Sequence, residues 1–228
     1  MLLPQDATFF ENALPFWAVL SPAQREKLTR GSRLIHAKAG DLVHSGADEC
    51  LGVLFIRSGR LRAYMLSAAG REITLYFIEK ESLTMLSAAC ILHNAAMPVY
   101  LDAEEDCDFF VIPPAVYNAL RCENPEVEHY TSEILGDSFS RTLSSMEQVL
   151  FLNVEQRLAL FLLERSAFEQ SDTVHLTHEA IARQLGTARE VVSRSLKQFA
   201  GSGWLESSRK GILLLDKKAL EGFSEQTG

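Results

Sequence analysis

The stretch that decides the fold is THEAIARQLGTAREVVSRSLKQF, Thr177 to Phe199. Two short helical patterns are pinched around Gly186-Thr187. Thr177 suits an N-cap, because its side-chain oxygen can take an orphan amide of the first turn. Ala180, Ile181 and Leu185 then form one apolar face. Gly186 ends that helix, since glycine adopts the left-handed conformation without steric cost. Thr187 is the predicted cap of the next helix, with Glu190 three residues on completing a capping box. Val191, Val192, Leu196 and Phe199 supply its inward face, which leaves Arg189, Glu190, Ser193, Arg194 and Lys197 outward. Two helices around a tight glycine turn, the second polar and basic at its N-terminal half, make the pattern of a major-groove reader. The residue types suit that task. Arg can donate two hydrogen bonds to guanine, Glu can accept from cytosine N4, and Ser can meet a base or a phosphate. The plainer alternative is a helical hairpin with salt-bridged surface charges.

Working outward, WLESSRKGILLLDKKAL (Trp204 to Leu220) holds two short β runs around Ser208-Arg209-Lys210-Gly211, a hairpin turn. Lys197, Arg209 and Lys210 fall where phosphate contacts add affinity without sequence information. The charge distribution agrees. From Thr173 to the end there are 8 Lys/Arg and 6 Asp/Glu, hence +2, against 14 and 24 before it, hence −10. A mildly positive end on an acidic body fits a local anion-binding face.

Upstream, VEQRLALFLLERSAF reads as a helix capped by Asn153, with Gln156 completing a capping box. Before it, PEVEHYTSEILGDSFSRTLSSMEQVLFL (Pro125 to Leu152) runs about 28 residues, or roughly 42 Å as one helix. Val127, Tyr130, Ile134, Leu135, Phe139, Leu143, Met146 and Leu150 recur at spacings of three and four. That stripe either packs on its own domain or forms a homodimer seam. With no second helical layer evident to bury it, the seam is the favoured reading.

The first half has a different period. A helical segment, roughly Phe9 to Arg30, is capped internally by Ser21 with Pro22 at the first helical position. From Ser32 short β-like runs are broken at Ala39-Gly40-Asp41, Ser45-Gly46-Ala47-Asp48, Ser58-Gly59 and Ala69-Gly70. This predicts an all-β sandwich or roll. Val99 to Pro113 adds two strands around an acidic turn, Glu104-Glu105-Asp106, read as solvated rather than catalytic. Leu83 to Leu92 is predicted as a short helix followed by a loop.

Composition bounds the function. The chain has 228 residues, 47% of them apolar, and a net charge of −8, enough for a sizeable core but not for a protein basic all over. No apolar run is long enough for a membrane span, and the start lacks a signal-peptide pattern. The expectation is a cytoplasmic protein without membrane contact, whose four cysteines are reduced thiols with no zinc spacing. No GxSxG, HExxH, Walker A or dinucleotide fingerprint argues for an enzyme.

The order of parts resembles the CRP/FNR family of bacterial transcription regulators over nearly the whole chain. The most specific matches are SGRLRAY…GREITL and IARQLGTAREVVSRSLKQFAGSGWL. The resemblance implies an α+β chain: an antiparallel, jelly-roll-like β-roll (1–124), a long dimerisation helix (125–152) and a winged helix-turn-helix (153–228). It implies a homodimer on an inverted repeat of TTGA- or TGTGA-like half-sites, read by Arg189, Glu190, Ser193 and Arg194, and RNA polymerase as a partner. Ser193 resembles the FNR-like branch and Arg189 the cyclic-AMP-receptor branch.

The departures concern what the roll senses. Aligned on the flanking strands, Met85 and Met97 replace the Glu and Arg that hold the cyclic phosphate in members binding cyclic AMP. Burying that anion without its ion pair costs several kcal/mol or more, roughly, so cyclic AMP in the usual mode is not expected. No cysteine precedes Cys50, so an N-terminal iron–sulfur cluster is not expected either. Thr84, Met85, Leu86, Met97, Pro98 and Val99 would line an adaptable apolar effector pocket, and Thr142 aligns with a position that touches ligand across the dimer. A small apolar or aromatic effector fits best. Haem on Cys90, His93 or Met97, a redox switch among Cys50, Cys90, Cys107 and Cys122, and an empty pocket are the alternatives.

Overall fold

The computed structural model describes residues 4–45, 51–80, 82–85 and 99–225. The chain divides into two compact units, Met1–Met65 with Leu75–Thr142, and Leu66–Thr74 with Leu143–Gly228.

The first unit opens with α1 (Pro4–Ala13), a short 3-10 turn (Trp17–Val19) and α2 (Pro22–Gly31). The single helical segment expected over Phe9 to Arg30 is therefore broken. The chain stays non-helical around Pro15, then restarts at Ser21, whose hydroxyl accepts from the Gln24 amide in a complete capping box. Eight strands follow: β1 (Arg33–Ala37), β2 (Leu42–His44), β3 (Val53–Ser58), β4 (Leu61–Leu66), β5 (Glu72–Ile78), β6 (Leu83–Met85), β7 (Val99–Ala103) and β8 (Cys107–Ile112). They form two four-stranded sheets, ordered β1-β8-β3-β6 and β2-β7-β4-β5. The expected helix at Leu83 to Leu92 is overturned at its start. Leu83, Thr84 and Met85 pair antiparallel with Phe55, Leu54 and Val53, and sheet pairing overrides a weak local helical preference. The remainder of that segment lies outside the described residues.

The strands β3 and β8 explain their own composition. Their runs VLFI and FFVI do not alternate in polarity, because both faces are covered. Leu54, Ile56, Phe109 and Val111 turn into one cluster with Leu61, Ala63 and Leu101. Val53, Phe55, Phe110 and Ile112 turn the other way, onto Phe10, Trp17, Leu28, Tyr117 and Val127. Phe10 and Phe110 pack with ring centroids 4.7 Å apart. Gly59 closes the β3–β4 turn at φ 81, where a side chain would collide with the backbone at Asp106 and Cys107.

This unit ends with α3 (Pro114–Glu123) and the part of α4 (Pro125–Phe151) up to Thr142. The expectation that α4 has no helical layer beneath it fails for its first half. Val127 is fully buried, and Tyr130, Ile134 and Leu135 pack on the cluster built with α1, α2 and α3. Beyond residue 138 the stripe changes character: Phe139, Leu143, Met146 and Leu150 are all exposed.

The second unit contains α5 (Val154–Glu169), β9 (Thr173–Val174), α6 (His178–Leu185), α7 (Arg189–Gly201), β10 (Leu205–Ser208), β11 (Gly211–Leu214) and α8 (Lys217–Ser224). Asn153 caps α5 with the predicted capping box to Gln156. The hairpin β10–β11 gains β9 as a third antiparallel strand. Leu158, Leu162, Ile181, Val192, Leu196, Phe199, Ile212 and Leu220 form the core. Phe199, Trp204 and Phe223 add an aromatic triad with centroids 5.4–5.5 Å apart. This is a winged helix-turn-helix.

Candidate nucleic-acid interface

The two central helices are set by local chemistry. Thr177 accepts the Ala180 amide through its hydroxyl at 3.1 Å and starts α6. Gly186 ends α6 in the left-handed conformation at φ 63. The Thr187 amide then bonds back to the Ala182 carbonyl at 2.9 Å. That bond holds Thr187 in the turn, so it does not cap α7 as the sequence suggested. Ala188 occupies the cap position, no side chain caps the helix, and the Thr187–Glu190 capping box does not form. The first-turn amides of α7 are therefore left for solvent or a ligand.

On α7, Val192, Ser195, Leu196 and Phe199 are buried, while Arg189, Glu190, Arg194 and Lys197 are exposed. The division follows from helical period: positions 192, 195, 196 and 199 share one face, and 190, 194 and 197 lie across from it. Arg209 and Lys210 are exposed at the β10–β11 turn. Among the described residues, none of Arg189, Arg194, Lys197, Arg209 or Lys210 enters an ion pair, whereas Arg165 and Lys217 in the same unit are paired with Glu169 and Asp172. The helical hairpin with mutually paired charges is thus not what this face presents. It holds cations available to an external anion.

Ser193 differs from its neighbours. It is half-buried, and its Oγ lies 2.9 Å from Nδ1 of His178 on the first turn of α6. A groove of about 480 Å³ runs between α7 and the wing, lined by His178, Ser193, Lys197, Leu205 and Ser207 among others. No local spacing singles out His178, because its contact to Ser193 spans two helices.

The predicted effector residues are less assembled. Leu86, Met97 and Pro98 lie outside the described residues, as do Cys90 and His93. Thr84 and Met85 belong to β6, at the end of one sheet, and Val99 starts β7 in the other. Thr142 is half-buried and donates its hydroxyl to the Ser138 carbonyl at 2.8 Å. A separate cleft of about 660 Å³ opens between β5, β6 and α4, lined by Tyr76, Phe77, Leu83, Tyr130, Ile134 and Arg141 among others. No spacing in the sequence brought these residues together. Of the cysteines within the described residues, Cys107 is buried in the roll and Cys122 is exposed, and both are free thiols. Burial, then Asp108 and Glu105 nearby, push the Cys107 thiol up to about 12, which keeps it protonated and poorly suited to redox sensing. Among the described residues no helix is long and apolar enough to cross a membrane.

Comparison with known proteins agrees with this geometry. A family model described as the Crp-like helix-turn-helix domain matches residues 156–223. A crystal structure from Eubacterium rectale, assigned to the CRP/FNR family of transcriptional regulators, is 36% identical, covers 94% of this chain and 100% of its own, and superposes with a TM-score of 0.86. The regulatory protein YeiL of Escherichia coli is 25% identical over 199 residues, 85% of this chain and 86% of that one. A CRP-like cAMP-activated global transcriptional regulator of Mycobacterium tuberculosis is 29% identical over 105 residues, so that this chain spans about half of that relative (47%) and 43% of itself is matched. These relatives are regulators, not enzymes. With the helix-turn-helix in place and a relative matched along its whole length, the chain belongs to the CRP/FNR family of transcription regulators.

Proposed function

We propose that the protein is a homodimeric, sequence-specific DNA-binding regulator of an inverted TTGA- or TGTGA-like repeat, controlled by an effector other than a cyclic nucleotide. The observation that carries the DNA half is α7, which turns Arg189, Glu190, Arg194 and Lys197 outward, unpaired, beside the basic wing tip at Arg209 and Lys210. Arg189 and Arg194 suit guanine, Glu190 suits cytosine N4, and the other cations suit phosphates. Thr187, at the turn preceding an uncapped helix end, is placed for a phosphate contact of the same kind.

The dimer reading rests on the second half of α4. Phe139, Leu143, Met146 and Leu150 repeat at spacings of four, three and four, all exposed, with Phe139 and Leu150 at 66% and 69%. A second copy of the helix would cover that seam. The effector reading rests on the methionines that replace a cyclic-phosphate pair at 85 and 97, and on Tyr76, Phe77, Tyr130 and Ile134 in a cleft whose lining also carries Glu133, Asp137 and Arg141. An apolar or aromatic molecule there would bias α4 and the junction at Leu152–Asn153 by binding the DNA-competent state more tightly. RNA polymerase is the partner such a regulator would meet at a promoter.

A mobility shift on inverted TTGA-type repeats, with Arg194→Ala as control, tests the DNA reading. Wild type should shift the repeat and the variant should lose the preference. Equal, weak and sequence-independent binding by both would overturn it.

A further inference from the structure

The hydrogen bond between His178 and Ser193 joins α6 to α7 outside the apolar core that packs them. Ile181 and Ala182 of α6 and Val192, Leu196 and Phe199 of α7 hold the two helices together through the apolar core. His178 and Ser193 instead sit at the groove beside the wing, in line with Lys197. Within the described residues His178 has one polar partner, Ser193, at Nδ1. Its Nε2 is left for solvent or for whatever enters the groove.

We infer that His178 is a positioning residue that sets the hydrogen-bonding sense of Ser193 and thereby the base that Ser193 accepts. The inference rests on the reading of α7 as a DNA-recognition helix. A serine hydroxyl has one donor and two acceptor sites, and its rotor suits either kind of partner. Free, it discriminates poorly among base edges. Held at 2.9 Å by a ring nitrogen, it loses that freedom. A neutral imidazole carries one proton, and the bond made by one nitrogen fixes the role of the other. DNA lining the groove would present phosphate oxygens, which only accept. Nε2 is then the protonated nitrogen, donating to phosphate, and Nδ1 is the acceptor. Ser193 must donate its only proton to Nδ1, leaving lone pairs toward the major groove. Lone pairs require a donor, and the donors there are adenine N6 and cytosine N4. Ser193 therefore selects an amino-bearing base on the strand it faces and disfavours guanine and thymine, whose edges accept at the same height.

The test is a set of full-length proteins, wild type, His178→Phe, His178→Asn, Ser193→Ala and the double His178→Phe/Ser193→Ala, titrated against operators carrying each of the four bases at every half-site position. Wild type should favour adenine or cytosine over guanine or thymine at one position by roughly 3- to 10-fold, the range of a single net hydrogen bond. Ser193→Ala and His178→Phe should each flatten that position alone, and the double variant should add nothing further. His178→Asn, which keeps a short polar group near the place of Nδ1, should restore much of the preference. Thermal unfolding of each variant separates a folding defect from lost recognition, and His178→Asn keeps the test open if the Phe variant does not fold. A guanine or thymine preference, an unchanged preference in His178→Phe, or a loss spread evenly over all positions would overturn the inference while leaving the DNA reading intact. Wild type that shows no sequence preference at all would remove the DNA reading itself.

Discussion

Arg62 on β4 and Asp102 on β7 face each other in register, with Nε 3.0 Å from Oδ1 and Nη2 2.6 Å from Oδ2. Arg62 is fully buried and Asp102 nearly so. The guanidinium also lies over the Tyr64 ring at 4.3 Å. A two-pronged Arg–carboxylate pair of this kind gives orientation as well as energy. Removing one partner leaves the other as a buried charge, at a cost of about 3–5 kcal/mol. Asp102→Ala is expected to destabilise the roll by that amount in urea unfolding. The paired change Arg62→Met with Asp102→Leu should recover most of it, because two apolar groups of similar size leave no stranded charge. A double variant as unstable as the single would show that the pair does more than balance itself.

Under the proposed reading, the cations of α7 and of the wing make two kinds of DNA contact with different signatures. Arg189→Ala should cost about 1–3 kcal/mol on the preferred operator and relax one base position. Arg209→Ala and Lys210→Ala should weaken binding to all sequences alike, and each should lower the slope of log affinity against log salt by about 1. Affinity measured across a salt series on matched and scrambled operators distinguishes them. A wing variant that altered specificity but not the salt slope would move Arg209 or Lys210 from phosphate to base.

Much of this was legible in the sequence, for reasons that can be stated. Asn153 with Gln156, Ser21 with Gln24, and Thr177 before Ala180 are local caps, and the structure forms all three. Gly186 was legible because a left-handed turn admits few other residues. The same rule failed one residue later. Thr187 has the chemistry of a cap, yet the turn that closes α6 claims its amide, and Ala188 takes the cap position instead. Leu83–Met85 failed because three residues cannot declare a strand when their partner, Val53–Phe55, lies about 30 residues away. His178, Arg62 and the cleft at Tyr76 and Tyr130 were invisible for the same reason. Each acquires its meaning from a residue distant in sequence.

The sequence offers the α4 stripe either as a packing face on its own domain or as a homodimer seam, and its two halves differ in burial. Its first half is covered by α1 to α3, so a substitution there should unfold the unit rather than separate subunits. Beyond residue 138, Phe139, Leu143, Met146 and Leu150 are exposed among the described residues. Leu143→Glu is therefore expected to yield a folded monomer in sedimentation, with DNA affinity reduced because two half-sites no longer act together. Val127→Glu should instead lower the melting temperature. A wild-type chain that sediments as a monomer at micromolar concentration would remove the seam.

The roll should also be sensitive to alkali, with a defined origin. Burial, reinforced by Asp108 and Glu105, raises the Cys107 thiol from its ordinary value of 9.0 to about 12. Tyr117 on α3 is likewise raised from 10.0 to about 12 by burial, against the opposing hydrogen bond from Thr131. In both cases the folded chain holds its proton to higher pH than the unfolded chain does. Between the unfolded and folded values the folded state binds more protons, so stability falls as pH rises. The contribution is whole below pH 9 and is lost progressively toward about 12. Unfolding measured across that window should show a falling midpoint, with a shallower slope in Cys107→Ala. Alkylation followed by peptide mapping supplies the independent check. Exposed Cys122 should label in the folded protein, and Cys107 only once the roll opens. Equal labelling of both at pH 8 would mean that β8 is not closed over its thiol.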